Sequence, residues 1–153
     1  MQRILAPWEI KRKLIVKAEE ETDPRYGHEP NERPIQAYIH FGIINLDKPP
    51  GPSSHEVTAW IKRLMDIELA GHGGTLDPKV TGILPIALQE ASRTLQALLI
   101  SGKEYVCATR LHSEVNEDKI RTVLNEFQGV IYQRPPLRAS VKRQLRTRKI
   151  YYI

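Results

Sequence analysis

The chain has 153 residues, with 23 Lys and Arg against 18 Asp and Glu, and a single cysteine, Cys107. One thiol excludes an intramolecular disulfide and a cysteine-built zinc site. No run approaches the ~18 apolar residues of a membrane span and no apolar leader opens the chain, so a soluble intracellular protein of one domain is expected, with no membrane partner.

Residues 1–40 are polar and mixed in charge, with Glu19-Glu-Glu21 and scattered prolines. They read as an extended N-terminal arm that Trp8, Ile10, Leu14, Ile15 and Val16 could anchor on a surface. Ile43–Leu46 reads as a short strand, and Pro49-Pro-Gly-Pro52 forces a loop. Ser53 and Glu56 have the spacing of a capping box, and the helix behind them puts Val57, Trp60, Ile61 and Leu64 on one face. Gly82–Leu88 is strand-like, although Pro85 argues for an edge position or a bulge. Ala91–Leu99 reads as a helix and Lys103–His112 as a strand, with Cys107 a buried structural thiol inside it. Asn116 can cap an amphipathic helix carrying Ile120, Val123, Leu124 and Phe127, with Gly129 as its stop. Val130–Gln133 and Lys149–Ile153 then flank a basic loop as a hairpin. Helices and strands mix without a regular βαβ repeat, so the predicted class is α+β.

Charge is unevenly distributed. Residues 134–149 hold seven basic side chains and no acid, leaving sixteen basic residues against eighteen acids elsewhere. A block this dense attracts phosphates; it also suits a solvated hairpin loop.

The segment with most chemical content is Gly71-His-Gly-Gly-Thr-Leu-Asp-Pro-Lys-Val-Thr-Gly82. It sets one carboxylate, Asp77, on a glycine-flanked loop, with Pro78 stiffening the chain behind it. The glycines would let backbone come close to a ligand. A lone carboxylate held this way suits nucleophilic or proton-transfer chemistry; the same pattern also describes a turn bearing a surface aspartate. The five histidines are scattered, none pairing at helical ligand spacing with a carboxylate, and Gly102-Lys103 lacks the earlier glycine of a phosphate-binding loop. No metal site and no cofactor is predicted.

Four blocks carry a resemblance that runs from Gly42 to Ile153: Gly42-Ile-Ile-Asn-Leu-Asp-Lys-Pro-Pro-Gly-Pro-Ser-Ser-His-Glu56, the Gly71–Gly82 loop, Lys103-Glu-Tyr105, and Gln133-Arg-Pro-Pro-Leu-Arg-Ala-Ser-Val-Lys142. In this order and spacing they resemble the pseudouridine synthases of the TruB type, within them the archaeal and eukaryotic dyskerin branch. The arm, Gly73-Gly74 and the arginine-rich block favour that branch over the stand-alone bacterial type.

The resemblance implies a mixed, largely antiparallel sheet with flanking helices, residues 41–153 being the N-terminal part of a catalytic domain. It implies isomerisation of uridine to pseudouridine in rRNA under a box H/ACA guide RNA, and of the T-loop uridine in tRNA. By the same likeness Asp77 is the catalytic aspartate, as nucleophile or proton acceptor, and Tyr105, just after Lys103, stacks on the target uracil. His72 helps hold RNA with the base extruded, and Lys48, near the active site in the first motif, and Lys103 are counted with the residues that contact substrate base or RNA. The hairpin 133–149 matches the thumb loop, whose Lys142, Arg143, Arg146 and Arg148 would contact phosphates. Implied partners are guide RNA, rRNA and tRNA, with small protein subunits of Gar type, Nop type and a kink-turn-binding protein. The expected location is the cytoplasm of an archaeal-type cell, or the nucleolus of a eukaryote. In the family the catalytic domain continues past the point matching Ile153, with an arginine that pairs with the aspartate, and a PUA domain follows. The chain is therefore expected to be an N-terminal fragment of such an enzyme, with a non-catalytic RNA-binding or assembly module as the alternative.

Overall fold

A computed structural model describes residues 4–21, 23–135, 137 and 143–153, which divide into two compact units. Residues Val16–Ser101 form one; residues up to Ile15 together with Gly102–Ile153 form the other. Among the described residues the strand pairing is antiparallel throughout, where a mixed, largely antiparallel sheet was expected.

In the Val16–Ser101 unit, α1 (Ile35–His40) leads into β1 (Ile43–Lys48), followed by α2 (Ser54–Leu64), β2 (Ala70–His72) and β3 (Gly82–Leu88). The sheet order is β1-β3-β2, with Ile44 opposite Ile86 and His72 opposite the same residue on the other side. Strand alternation sends Leu84, Ile86 and Leu88 to one face, where they form the core with Val57 of α2. Ile39, Ile44, Leu46, Ile61 and Met65 pack around that cluster. Each such side chain contributes about 1.5–3 kcal/mol when fully buried.

The α2 helix starts as its sequence predicts. The Glu56 N–H donates to the Ser53 hydroxyl at 3.2 Å, and the Ser53 N–H donates to the Glu56 carboxylate at 2.7 Å. Val57 and Ile61 face the core, whereas Trp60 and Leu64 stay largely exposed along an apolar groove of about 370 Å³ shared with Leu46 and Pro49.

Pro85 is not at an edge: β3 is the central strand. The reason lies in which way its nitrogen faces. The Leu88 N–H bonds Gly42 on the β1 side, and the Gln89 N–H bonds Leu69 on the β2 side. By alternation the nitrogen of residue 85 faces β2 just past its last paired residue, so proline forgoes a single bond, to Gly73 at the strand's end. The Pro85 carbonyl still accepts from the Gly73 N–H at 2.8 Å.

The predicted helix at 91–99 begins as a 3-10 helix, Gln89–Thr94, and becomes helical only in α3 (Leu95–Ile100). α3 lies over the sheet face opposite the core. A Cβ at Gly71 would come 2.8 Å from Leu95 Cδ1, and one at Gly73 3.2 Å from Leu98 Cβ. These two glycines therefore admit α3, where the sequence suggested room for a ligand. Gly74 and Gly82 differ: both have positive φ with open space beside Gly74, and they turn the loop between β2 and β3.

In the other unit, α4 (Glu117–Glu126) is capped by Asn116, whose side chain accepts from the Asp118 N–H. β4 (Gly129–Gln133) pairs with β5 (Arg146–Ile150), with Gln133 opposite Arg146 and Ile131 opposite Arg148. β5 thus begins three residues earlier than the sequence suggested. Trp8 meets Tyr151 edge-on at 6.0 Å, and a Cβ at Gly102 would overlap the Trp8 ring. The strand expected over Lys103–His112 is not formed; the segment pairs with no described strand and is exposed. An extended run becomes a strand only through a neighbour's backbone groups. Cys107, expected to be buried in that strand, is exposed for the same reason.

Candidate active site

Asp77 sits where two loops of the Val16–Ser101 unit are tied together. One is the 49–53 turn between β1 and α2; the other joins β2 to β3. The ties fall on the residues either side of Asp77. Before it, the Ser54 hydroxyl accepts from the Leu76 N–H at 2.9 Å and donates to the Leu76 carbonyl at 3.1 Å. After it, the Pro78 carbonyl accepts from the Gly51 N–H at 2.8 Å and from Lys48 Nζ at 3.3 Å. The Asp77 carbonyl accepts from the Val80 N–H at 2.9 Å, closing the turn. The Asp77 side chain is exposed, and among the described residues its carboxylate has no hydrogen-bond or ion-pair partner.

Lys48 is wholly buried. Its ammonium also donates to the carbonyls of Pro49 and Pro52, each at 2.9 Å. Three carbonyls replace the lost hydration of a buried ammonium, which has three N–H donors and no others. The sequence grouped Lys48 with residues that contact RNA. Its geometry suits instead the positioning of two loops, because a phosphate would have to displace those carbonyls.

His72 ends β2 and is half-buried. Its Nδ1 makes a short hydrogen bond with the Gly74 carbonyl, and since a carbonyl can only accept, Nδ1 carries the proton. The ring also meets His55 of α2 edge-on, with centroids 4.8 Å apart and planes at 87°. Backbone bonding and a role beside a nucleobase are compatible, because Nδ1 orients the ring while Nε2 and the ring face remain.

The structure thus brings Lys48, His72 and Asp77 onto one pair of tied loops. The other predicted residues belong to the second unit. Lys103 and Tyr105 lie on the exposed segment after Gly102, Tyr105 with 71% of its surface accessible. Arg143 is exposed, three residues before β5, while Arg146 and Arg148 project from the same side of β5, two residues apart. Lys142 lies outside the described residues. Among those described, no group of three His, Cys, Asp or Glu side chains could hold a metal ion.

Two residues of this site were not singled out from the sequence. Ser54 and His55 stand inside the first motif, but only Ser53 and Glu56 carry a local signature there, that of the capping box. The signal available for Ser54 was a second hydroxyl directly behind the cap, on the helix side that turns inward.

Residues 6–58 match the DKCLD (NUC011) domain, and residues 62–119 match the TruB family pseudouridylate synthase N-terminal domain. The chain is 62% identical over 154 residues to a probable tRNA pseudouridine synthase B of Pyrococcus abyssi, covering 100% of this chain and 46% of that protein. A protein of the same description from Methanopyrus kandleri is 59% identical over 147 residues, covering 96% and 44%. Among solved structures, a Cbf5–Nop10–Gar1 complex matches with a TM-score of 0.88 at 60% identity, covering 98% of this chain and 46% of that one. An H/ACA RNP bound to a substrate RNA containing 2′-deoxyuridine matches with a TM-score of 0.84 at 56% identity, covering 97% and 44%. The chain thus carries a DKCLD domain followed by the N-terminal domain of the TruB pseudouridylate synthase family, and it spans a little under half the length of these relatives.

Proposed function

We propose that these residues form the front part of an RNA pseudouridine synthase. It acts on rRNA uridines chosen by an H/ACA guide RNA, and on the T-loop uridine of tRNA. The observation that carries this reading is the Asp77 loop: backbone restrained on both sides, carboxylate exposed. In the reaction the N1–C1′ bond breaks, the uracil turns, and a C5–C1′ bond forms. The C5 proton leaves and N1 takes one up, so the nucleoside keeps its composition and oxidation state. The balance calls for no redox partner or group donor.

A carboxylate suits this chemistry because positive charge develops at C1′ as the bond to the base breaks, much as in glycoside hydrolysis. Asp77 either attacks C1′ or accepts a sugar proton. Tyr105 supplies an aromatic face for the uracil, and His72 takes the place the extruded base leaves in its stack. Lys103, Lys142, Arg143, Arg146 and Arg148 hold phosphates. The small subunits of the particle are its protein partners. Their place in this reading is supported by the complexes in which similar chains were solved.

The test uses the full-length protein with guide RNA and a substrate carrying tritium at uracil C5. The wild-type protein is expected to release tritium, and Asp77→Asn to bind the same RNA but release none above background. Release by Asp77→Asn at the wild-type rate would overturn the assignment. A second reading, a non-catalytic RNA-binding or assembly module, is favoured by the exposure of Tyr105 on a segment without strand partners. It predicts no release by the wild-type protein, with RNA binding intact.

A further inference from the structure

The first turn of α2 holds four polar residues in a row, and they divide into two pairs. Ser53 and Glu56 close the capping box on the helix itself. Ser54 and His55 do nothing for the cap. Ser54 is 1% exposed, and its hydroxyl binds both backbone groups of Leu76, twenty-two residues away and next to Asp77. One hydroxyl satisfies a donor and an acceptor of one residue, which fixes that peptide's orientation as well as its distance. The Ser54 carbonyl accepts from Thr58 Oγ1 at 2.8 Å, a bond internal to α2 that does not involve the Ser54 hydroxyl. His55 meets the ring of His72 on the same loop.

We propose that Ser54 is a positioning residue for Asp77. Its hydroxyl transmits the rigidity of α2 to the peptide before the carboxylate, so the carboxylate stands at a set distance from the reacting C1′. This rests on the pseudouridine synthase reading above. Among the described residues no side chain bonds the Asp77 carboxylate, so these residues place it through its backbone. Of the two anchors on that backbone, the Ser54 one lies on a helix rather than in a turn. A misplacement of about 1 Å can slow a reaction roughly 100-fold.

The full-length protein with guide RNA and C5-tritiated substrate again provides the assay, read as single-turnover rate and as RNA affinity. Ser54→Ala is expected to lower the single-turnover rate by about 10- to 100-fold while RNA affinity changes less than twofold. Thr58→Val is the control: it removes a hydroxyl from the same helix without touching the loop, and should lower thermal stability but not the rate. If Ser54→Ala does not fold, Ser54→Cys keeps the volume with a far weaker donor and acceptor and should show the same rate loss. A rate within twofold of wild type in the folded serine variant, or an equal loss in Thr58→Val, would overturn the proposal. Absence of tritium release from the wild-type protein would instead overturn the function on which it rests.

Discussion

Replacing Lys48 by methionine keeps most of the apolar stem and removes the ammonium. Three carbonyls then lose their donor, two bonded at 2.9 Å and one at 3.3 Å. Hydrogen bonds from a charged donor contribute about 1.5–3 kcal/mol each, the longest of the three least. Against that, methionine no longer requires a desolvated charge, which is unfavourable by several kcal/mol. Each carbonyl left buried without a donor costs about 1–3 kcal/mol. The lower end applies here, since Pro49 and Pro78 are exposed and their carbonyls gain water once the loops part. The loss should be local. Lys48 bridges the 49–53 turn to the Asp77 loop, so the Gly51 N–H on Pro78 and the Leu76 N–H on Ser54 are the bonds that open. About 3 kcal/mol corresponds to roughly a 100-fold faster exchange of those amides. Hydrogen exchange resolved at Gly51 and Leu76 measures this directly. Lys48→Arg should fail as well, because a planar guanidinium cannot serve three carbonyls arranged around a point charge. Unchanged protection at both amides in Lys48→Met would refute the view that this lysine ties the loops.

Acid should weaken α2 through its capping box. The Ser53 N–H, and then the Ser53 hydroxyl, hold the Glu56 carboxyl below the ordinary glutamate range. The folded form therefore binds this proton less tightly than the unfolded chain, and its stabilisation is complete above the unfolded value of about 4.3. It is lost as pH falls through the lower folded value; urea midpoints followed downward from there should show a decline that Glu56→Gln lacks. Changing Arg143, Arg146 and Arg148 together to Gln should weaken RNA binding and make the plot of log affinity against log salt shallower by about 2–3. A slope equal to that of the wild-type protein would remove those side chains from the phosphate-contacting set.

What the sequence disclosed and what it hid follow from the range of the interactions. The capping box and the Asn116 cap depend on residues two or three apart, and the structure has them as read; of the stripe Val57, Trp60, Ile61 and Leu64, Val57 and Ile61 reach the core. Pro85 was harder, because its cost to a sheet depends on which neighbour its nitrogen faces, and that is set by β2 ending at His72. Lys103–His112 has a strand's pattern, but a strand also needs a partner, and none among the described residues supplies one. The site shows the same split. The Asp77 loop and His72 stand in one short motif. Lys48 instead resembles an exposed lysine before a turn until the chain brings Pro78, thirty residues on, against it.

The same geometry explains why so exposed a carboxylate can still be precisely placed. Among the described residues the restraints act on Leu76 and Pro78, and none of them engages the oxygens of Asp77. Gly74 and Gly82 let the loop turn at either end, while Ser54, Gly51 and Lys48 hold its middle to a helix and a turn. On the proposed function, placement and reactivity fall to different atoms. Substitutions that loosen the backbone ties should slow the chemical step while leaving RNA affinity intact, whereas substitutions in the arginines of β5 should do the reverse.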